Sequence, residues 1–233
     1  ADYQGLAFQG EAVRSVDRFI SYLVQRTDWD LLWLPDLQLD GPDTKLILQG
    51  FRKTGLKVAH LPSLDCPYLE VSGTWPDYYT GVRSNKARKN LRRSLRQLQQ
   101  MGSVTFRHYT DPDEVSDVLE STFQLHGARW FYRFTTTPYS GTVGQAFFRD
   151  LALAYTERNR LDIATLELDG RPIAFSFSFT YPGCYFYYIP AFNPEYATYS
   201  PGTLLMTHLM EIAFENGCKR FDFMKGDEAY KWQ

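Results

Sequence analysis

The sequence predicts an α/β (α+β) fold in which helices flank a central mixed, mostly antiparallel sheet. From residue 104 onward, apolar periodicity gives the order strand, helix, helix, three strands, helix, strand. Hydrophobic residues make up 44% of the 233 residues and charged residues 22%. This composition is typical of a globular chain that is long enough to bury a large core.

The first 61 residues are predicted to alternate helix and strand. Helices are expected over 11–26 and 43–54, and buried strands over 29–34 and 56–61. The stretch that follows is rich in proline and glycine and predicts a linker, so we place a domain boundary near residue 80. Residues 1–80 are then interpreted as the trailing part of an incomplete N-terminal unit, and residues 81–233 as a second, related unit.

A basic helix is predicted at the start of the second unit. No acidic residue lies between Asp77 and Asp111, whereas eight basic residues do, although the whole chain has a net charge of only −2. Leu91, Leu95 and Leu98 recur at helical spacing, so the cations of residues 83–96 fall on the remaining faces. This pattern fits either a solvated helix face or the binding site of a phosphate-rich partner, such as tRNA, a lipid-linked intermediate or a membrane surface.

The later elements have local signals. The acidic residues around Pro112 predict a helix start, and Asp169-Gly170 predicts a hairpin turn. Pro190 lacks a backbone donor, so its strand is expected to form an edge or bulge and to splay there. The predicted elements are a strand over 104–109, helices over 111–126 and 144–158, strands over 161–168, 172–180 and 184–192, a helix over 201–216 and a strand over 220–224.

Two segments carry candidate chemistry. Ser200, Pro201, Gly202 and Thr203 begin a buried helix, with Ser200 as the expected N-cap, and the free N–H groups of such a helix end bind anions. The second segment follows the last strand. There Asp222 or Asp227 could deprotonate an attacking amine, Tyr230 could return a proton to a thiolate, and Lys231 could stabilise an oxyanion. The alternatives are an ordinary helix cap for the first segment and a charged turn for the second.

Other chemistry and other compartments are disfavoured. The three cysteines are widely spaced and the four histidines lack ligand spacing, so neither a disulfide framework nor a metal site is expected. The sequence contains no apolar run of membrane-spanning length and no signal peptide at its start, which favours a reducing, cytoplasmic location. Because the chain starts without Met and stops inside an expected element, we expect it to be a fragment of a longer protein.

The predicted strand order resembles the GNAT acyltransferase fold. The segments Ala191 to Tyr196, Tyr199 to Leu205, Phe221 to Phe223 and Gly226 to Lys231 resemble the CelD/BcsL-like acetyltransferase family, whose relatives include the FemAB aminoacyltransferases. The resemblance implies transfer of an acyl group, such as acetyl, from acyl-CoA to an amine or hydroxyl of a sugar, cell-envelope or exopolysaccharide precursor. It also implies two tandem GNAT-like units, and no metal.

The resemblance also implies roles for individual residues. It assigns catalysis to Asp222, Asp227, Tyr230 and Lys231. It assigns binding of the acyl-CoA to Ile189, Ala191, Tyr199, Ser200, Gly202 and Thr203. It assigns binding of the acceptor to His126, Arg129, Trp130, Tyr188 and Glu228. Two alternatives stay open: a tRNA-dependent aminoacyltransferase of FemAB type, and a non-catalytic GNAT-like module that binds a polysaccharide or a partner protein.

Overall fold

The structure is a computed structural model that describes residues 10–61, 64–130, 137, 139 and 141–232, except the side chains of Trp130 and Trp232. The chain divides into two compact units, Ala1–Asp65 and Cys66–Gln233. This division lies before the boundary expected near residue 80, and the interpretation of the first unit as part of a tandem repeat stays a prediction.

The first unit is a pair of helices, α1 (Ala12–Gln25) and α2 (Pro42–Arg52). Val16 and Ile20 pack against Ile47 and Phe51 in its small core. The helices meet closely at Gly50, because a Cβ atom there would lie 2.2 Å from the Cδ1 of Ile20. Both predicted helices are therefore confirmed.

The strands expected over 29–34 and 56–61 are wrong, since the described residues of this unit form no strand. In the first segment Leu32 and Leu34 pack against the helical core, whereas Leu31 and Trp33 are exposed. Packing of an extended segment on one side alone produces the same alternation as a strand. The second segment is exposed throughout.

The second unit is built on a six-stranded sheet. Its strands are β1 (Tyr68–Glu70), β2 (Val104–Tyr109), β3 (Leu161–Leu168), β4 (Arg171–Tyr181), β5 (Cys184–Phe192) and β6 (Arg220–Asp222). Their order in the sheet is β1-β6-β5-β4-β3-β2. Every neighbouring pair is antiparallel except β5 and β6, which are parallel, so the predicted mixed and mostly antiparallel sheet is confirmed.

Helices cover both faces of this sheet. They are α3 (Trp75–Val82), α4 (Asn85–Met101), α5 (Pro112–Trp130), α6 (Thr142–Thr156) and α7 (Pro201–Glu215). Leu98 of α4 and Leu209 of α7 belong to the core on one face, and Leu119 of α5 and Phe148 of α6 belong to the core on the other. All eight residues of β3 are buried as a result.

The segment predicted as a linker instead contributes β1 and α3 to the second unit. Tyr68 of β1 lies opposite Asp222 of β6 in the sheet. Thr74 caps α3, because its hydroxyl accepts a hydrogen bond from the backbone N–H of Asp77. Trp75 then packs against Phe214 of α7, with ring centroids 5.6 Å apart. These contacts explain why the compact unit begins before residue 80.

Candidate functional site

The sheet opens between β5 and β6. The two strands pair only over Cys184–Phe186 and Arg220–Asp222, so the second half of β5 has β4 as its only sheet neighbour among the described strands. Pro190 lies in this half, opposite Ser176 of β4. Proline has no backbone N–H to donate, and on the open side of β5 no described strand is present to accept one. The edge position predicted for Pro190 is therefore confirmed.

A β-bulge lies where the strands part. Phe177 of β4 is opposite Ile189 of β5, but Phe179 is opposite Phe186, so one residue of β4 faces two residues of β5, Tyr187 and Tyr188. The bulge shifts the alternation of the strand: Tyr187 lies in the core under α7, whereas Tyr188 and the next residue, Ile189, both pack against the core under α5 and α6. Pro190 predicts an edge or bulge only two residues beyond this pair, but no sequence signal indicates Tyr187.

Helix α7 begins beside the open half of β5. Ser200 is its N-cap residue, as predicted, but its φ is +52° and its side chain makes no capping hydrogen bond, so the expected side-chain cap is wrong. The physical reason is the short 3-10 helix Pro194–Tyr199, which runs directly into α7 and makes Ser200 a left-handed junction. The backbone N–H groups of Gly202 and Thr203 in the first turn then have no partner within the helix.

A phenylalanine ring separates this helix end from an arginine. A Cβ atom on Gly202 would lie 3.2 Å from the Cδ1 of Phe192, and the guanidinium carbon of Arg129 lies 4.4 Å from the centroid of the same ring. The end of α5 therefore brings a positive charge to the positive end of the α7 dipole. Both favour an anion, and the missing side chain of Gly202 leaves room for its approach. Arg129, predicted as an acceptor-binding residue, lies beside Phe192, next to the helix end that is predicted to bind the donor.

The segment after β6 is held by Asp222. This side chain is only 1% exposed, and its Oδ1 accepts a hydrogen bond of 2.8 Å from the backbone N–H of Met224. Met224 has a φ of +59°, so the carboxylate stabilises a sharp turn at the end of the strand. Asp227, the other predicted carboxylate, is exposed.

Lys231 closes the same segment into a loop. Its Nζ donates to the carbonyl oxygens of Lys225 at 2.8 Å and Met224 at 3.3 Å, and lies 2.8 Å from the Oε2 of Glu228. Gly226 permits this closure: its φ is +133°, and a Cβ there would lie 2.8 Å from the Lys231 Nζ. The Lys231 side chain is only 4% exposed, so its buried hydrogen bonds hold the two ends of the loop together like a clamp.

Tyr230 lies on the inner side of this loop, packed against the core under α7. Burial, together with the carboxylate of Glu228, raises the pKa of Tyr230 well above its usual range. Burial also raises the pKa of Tyr187, with a further contribution from Tyr230. Both phenols are therefore protonated at neutral pH and can donate a hydrogen bond or a proton.

The remaining predicted residues are divided between the two faces of the sheet. Ile189 and Ala191 pack in the core under α5 and α6, and Tyr199 packs in the core under α7. His126 is buried, with its ring 5.0 Å from that of Tyr139, and burial lowers its pKa to about 4. The side chain of Trp130 lies outside the described residues.

A second polar cluster, which the sequence analysis did not identify, lies at the other edge of the sheet. The Nδ1 of His108 lies 2.9 Å from the Oδ1 of Asp162, and its Nε2 lies 3.3 Å from the Nε2 of His208. Tyr185 donates to the second oxygen of Asp162. The carboxylate raises the pKa of His108, whereas burial lowers that of His208. A hundred residues separate the two histidines, so no local pattern could have paired them.

Within the described part of the chain, three or more His, Cys, Asp or Glu side chains nowhere form a group that could hold a metal ion. The three cysteines form no disulfide bond among the described residues. No described helix combines the length and the hydropathy needed to cross a bilayer.

Comparisons with known proteins add the family to this geometry. A family model described as acetyltransferase (GNAT) domain matches residues 85–232, which include the opened strands, α7 and the clamped loop. Among solved structures, FemX is similar, with a TM-score of 0.65 and 11% sequence identity. The match covers 97% of this chain and 72% of the FemX chain. A search of curated protein sequences gives no match.

Two further structures are similar over a smaller part. One is the C-terminal domain (DUF2156) of a protein described as a lysylphosphatidylglycerol synthetase, from Agrobacterium fabrum, with 16% identity, a TM-score of 0.48 and coverage of 70% of this chain and 46% of that one. The other is a conserved protein of unknown function from Bacteroides thetaiotaomicron, with 11% identity, a TM-score of 0.48 and coverage of 73% and 54%. The chain thus spans about half the length of these two proteins.

Proposed function

Because the chain belongs to the acetyltransferase (GNAT) domain family, we propose that it transfers an acyl group, acetyl in the simplest case, from a coenzyme A thioester. The acceptor in this proposal is an amine or hydroxyl of a sugar or of a cell-envelope or exopolysaccharide precursor. The CelD/BcsL-like resemblance suggests this acceptor class, and that narrower family assignment stays a prediction. GNAT domains typically use acyl-CoA donors, which supply an acyl group activated by a thiol leaving group.

One observation carries the donor half of this proposal. Gly202 and Thr203 lie in the first turn of α7, and both Gly202 and the cation of Arg129 lie against the ring of Phe192, at the end of β5. Helix N-termini and arginine are the groups that bind phosphates best in proteins. We therefore assign the phosphates of the donor to these three residues, and the opened strand edge to the chain that leads to the thioester. Ser200 has the role of shaping the junction.

The acyl half of the proposal uses the clamped loop. The acceptor nitrogen or oxygen attacks the thioester carbonyl, the new C–N or C–O bond forms, and the C–S bond breaks. Asp227, which is exposed, accepts the proton of the acceptor. Tyr230, whose raised pKa keeps it protonated, returns a proton to the departing thiolate. Asp222 and Lys231 are positioning residues in this scheme, since their polar atoms already hold the loop.

The residues predicted to bind the acceptor lie in different surroundings. Glu228 is half-exposed and pairs with Lys231, so it can face an acceptor at the mouth of the loop. Tyr188 packs under α6 and His126 is buried in the core, so we assign both to packing. We place the reaction in the cytoplasm, where acyl-CoA and reduced cysteines coexist. We also propose that the first unit, Ala1–Asp65, is the trailing part of an N-terminal GNAT-like unit.

The test of the catalytic assignment is thiol release from acetyl-CoA in the presence of a panel of amino sugars and sugar nucleotides. Tyr230→Phe and Asp227→Asn are each expected to lower kcat about 100-fold or more, the usual effect of losing a general acid or base. Tyr181→Phe and Asp150→Asn make the same changes at exposed positions and serve as controls, with turnover within about twofold of the wild type. Unchanged turnover in both site variants would refute these roles.

A second candidate donor is an aminoacyl group carried by tRNA. It is suggested by the resemblance of Tyr230-Lys231 to the FemAB enzymes and by the cationic surface of α4. Transfer from aminoacyl-tRNA but not from acetyl-CoA would select this donor. A chain that transfers from neither donor, yet binds a polysaccharide in the Gly202→Trp variant, would indicate the non-catalytic module.

A further inference from the structure

Helix α4 carries a cationic face, defined as Lys86, Lys89, Arg92, Arg93 and Arg96. All five side chains are exposed. Within the described part of the chain, none of them lies within ion-pair distance of a carboxylate. The sequence explains why, since no acidic residue occurs between Asp77 and Asp111. The charge of this face is therefore not neutralised locally.

The cationic face points away from the core of its unit. Leu98 is completely buried, and Leu91 and Leu95 pack against the same core. At about 100° per residue, the centre of the cationic face lies about 150° around the helix from the centre of this apolar stripe. The five cations thus form a row along the outer side of the helix.

The neighbouring arginine shows what a structural cation looks like in this helix. One nitrogen of the Arg88 guanidinium donates to the carbonyl oxygens of Thr80 at 2.7 Å and Arg83 at 2.9 Å, at the end of α3. Among the residues that the structure describes, the cations of the outer face make no such anchoring bonds to other elements, and Arg96 donates only to the carbonyl oxygen of Arg92 within its own helix. Fold stability therefore accounts for Arg88 but not for the cationic face.

The amides of Asn90, Gln97 and Gln100 lie beside four of the cations on the same side of α4. Arginine donates two parallel hydrogen bonds to a phosphate, and amide groups add neutral donors beside it. The donors on this surface therefore match phosphate oxygens.

We propose that the cationic face docks this protein on a bilayer that contains anionic phospholipid. A row of cations along the outer side of a straight helix can contact a flat surface along its whole length. The helix contains no aromatic residue that could stack on a nucleic acid base. Its apolar stripe is occupied by the protein's own core, so the contact is electrostatic and peripheral, without insertion into the acyl chains. This docking does not depend on which donor or acceptor the acyl transfer uses.

The expected effect follows from the number of cations. One cation near an anionic membrane surface changes partitioning about fivefold at moderate salt. Changing Lys89, Arg92, Arg93 and Arg96 to Gln together is therefore expected to lower partitioning by roughly several hundred-fold. Gln is a good helix former and all four positions are exposed, so the helix is expected to remain intact.

The test is co-sedimentation of the whole chain with vesicles of phosphatidylcholine alone or with about 30% phosphatidylglycerol. A matched control changes Arg14, Arg18, Lys45 and Lys53 of the first unit to Gln, which removes the same charge from exposed helix and helix-end positions. Wild type and control are expected to bind the anionic vesicles and to be released by salt, whereas the α4 variant stays in solution. Melting temperatures show whether each four-site variant is folded. If the α4 variant is not folded, the single variants Lys89→Gln and Arg93→Gln are tested in its place.

Three results would overturn the proposal. The first is a wild type that binds both kinds of vesicle equally or binds neither. The second is an equal loss of binding in the two four-site variants, which would make net charge the cause. The third is binding of a duplex RNA through α4 without binding of anionic vesicles, which would assign the face to a nucleic acid.

Discussion

Replacing Lys231 by Met tests whether the ammonium group holds the loop after β6. The Nζ makes two charge-assisted hydrogen bonds to carbonyl oxygens, at 2.8 and 3.3 Å, each worth about 1.5–3 kcal/mol at good geometry. Its ion pair with the half-exposed Glu228 adds at most about 1 kcal/mol. Against this, a methionine avoids the cost of burying an ammonium. We therefore expect Lys231→Met to lower the free energy of unfolding by about 2–3 kcal/mol.

Urea denaturation followed by circular dichroism measures this change. Lys219→Met is the matched control, because Lys219 is exposed, and its effect is expected to stay within about 0.5 kcal/mol. The free energy of unfolding and the turnover number should fall together in the Lys231 variant, since the loop carries Tyr230. A Lys231 variant as stable as the control, but inactive, would contradict the clamp and favour a direct catalytic role.

Three further predictions concern the donor site, a buried histidine and the core. Arg129→Gln is expected to weaken coenzyme A binding about 10- to 100-fold in calorimetry. The control Arg149→Gln removes an arginine that lies over the ring of Phe123 and should leave the affinity for coenzyme A unchanged. Burial lowers the pKa of His126 from 6.5 to about 4, so the free energy of unfolding should fall by up to about 3 kcal/mol as the pH drops between these values. His126→Gln should make the free energy of unfolding depend less on pH in this range. The same pH dependence in wild type and variant would contradict this assignment. Leu98→Ala removes a completely buried side chain and should cost about 2–5 kcal/mol in urea denaturation, and a loss below about 1 kcal/mol would mean that α4 is not docked.

Long periodic elements of this chain could be predicted from sequence. The apolar stripe of α4 and the apolar run of α7 each extend over several turns, so their type and approximate bounds were correct. The order of the elements along the chain from residue 104 onward followed from the same patterns. Short elements could not be found in this way, because the three residues of β1 become a strand only through pairing with β6, about 150 residues later.

The strand predicted over 29–34 failed for a related reason. Alternation reports which side chains are covered, but it does not distinguish a partner strand from a helix pair, and here Leu32 and Leu34 pack on helices.

At the candidate site, sequence indicated the segments but not their arrangement. The cap residues predict the Gly202 helix end, whereas no sequence pattern places Arg129 beside it, because only the folded chain brings Arg129 to Phe192. Residue type, position at the end of the last strand and the family resemblance predict Lys231 and Asp222 as catalytic groups, whereas their hydrogen bonds to backbone atoms suit a positioning role.

The most direct test of donor binding is a calorimetric titration of acetyl-CoA into this chain and into its Gly202→Trp variant. A tryptophan at this position would fill the first turn of α7 and press on Phe192, whereas Gly81→Trp places the same side chain at an open position of α3 and serves as the control. We predict saturable binding to the wild type and to the control, and its loss in the Gly202 variant. Equal binding by all three folded proteins, or no binding by the folded wild type, would contradict the assignment of the donor to this helix end.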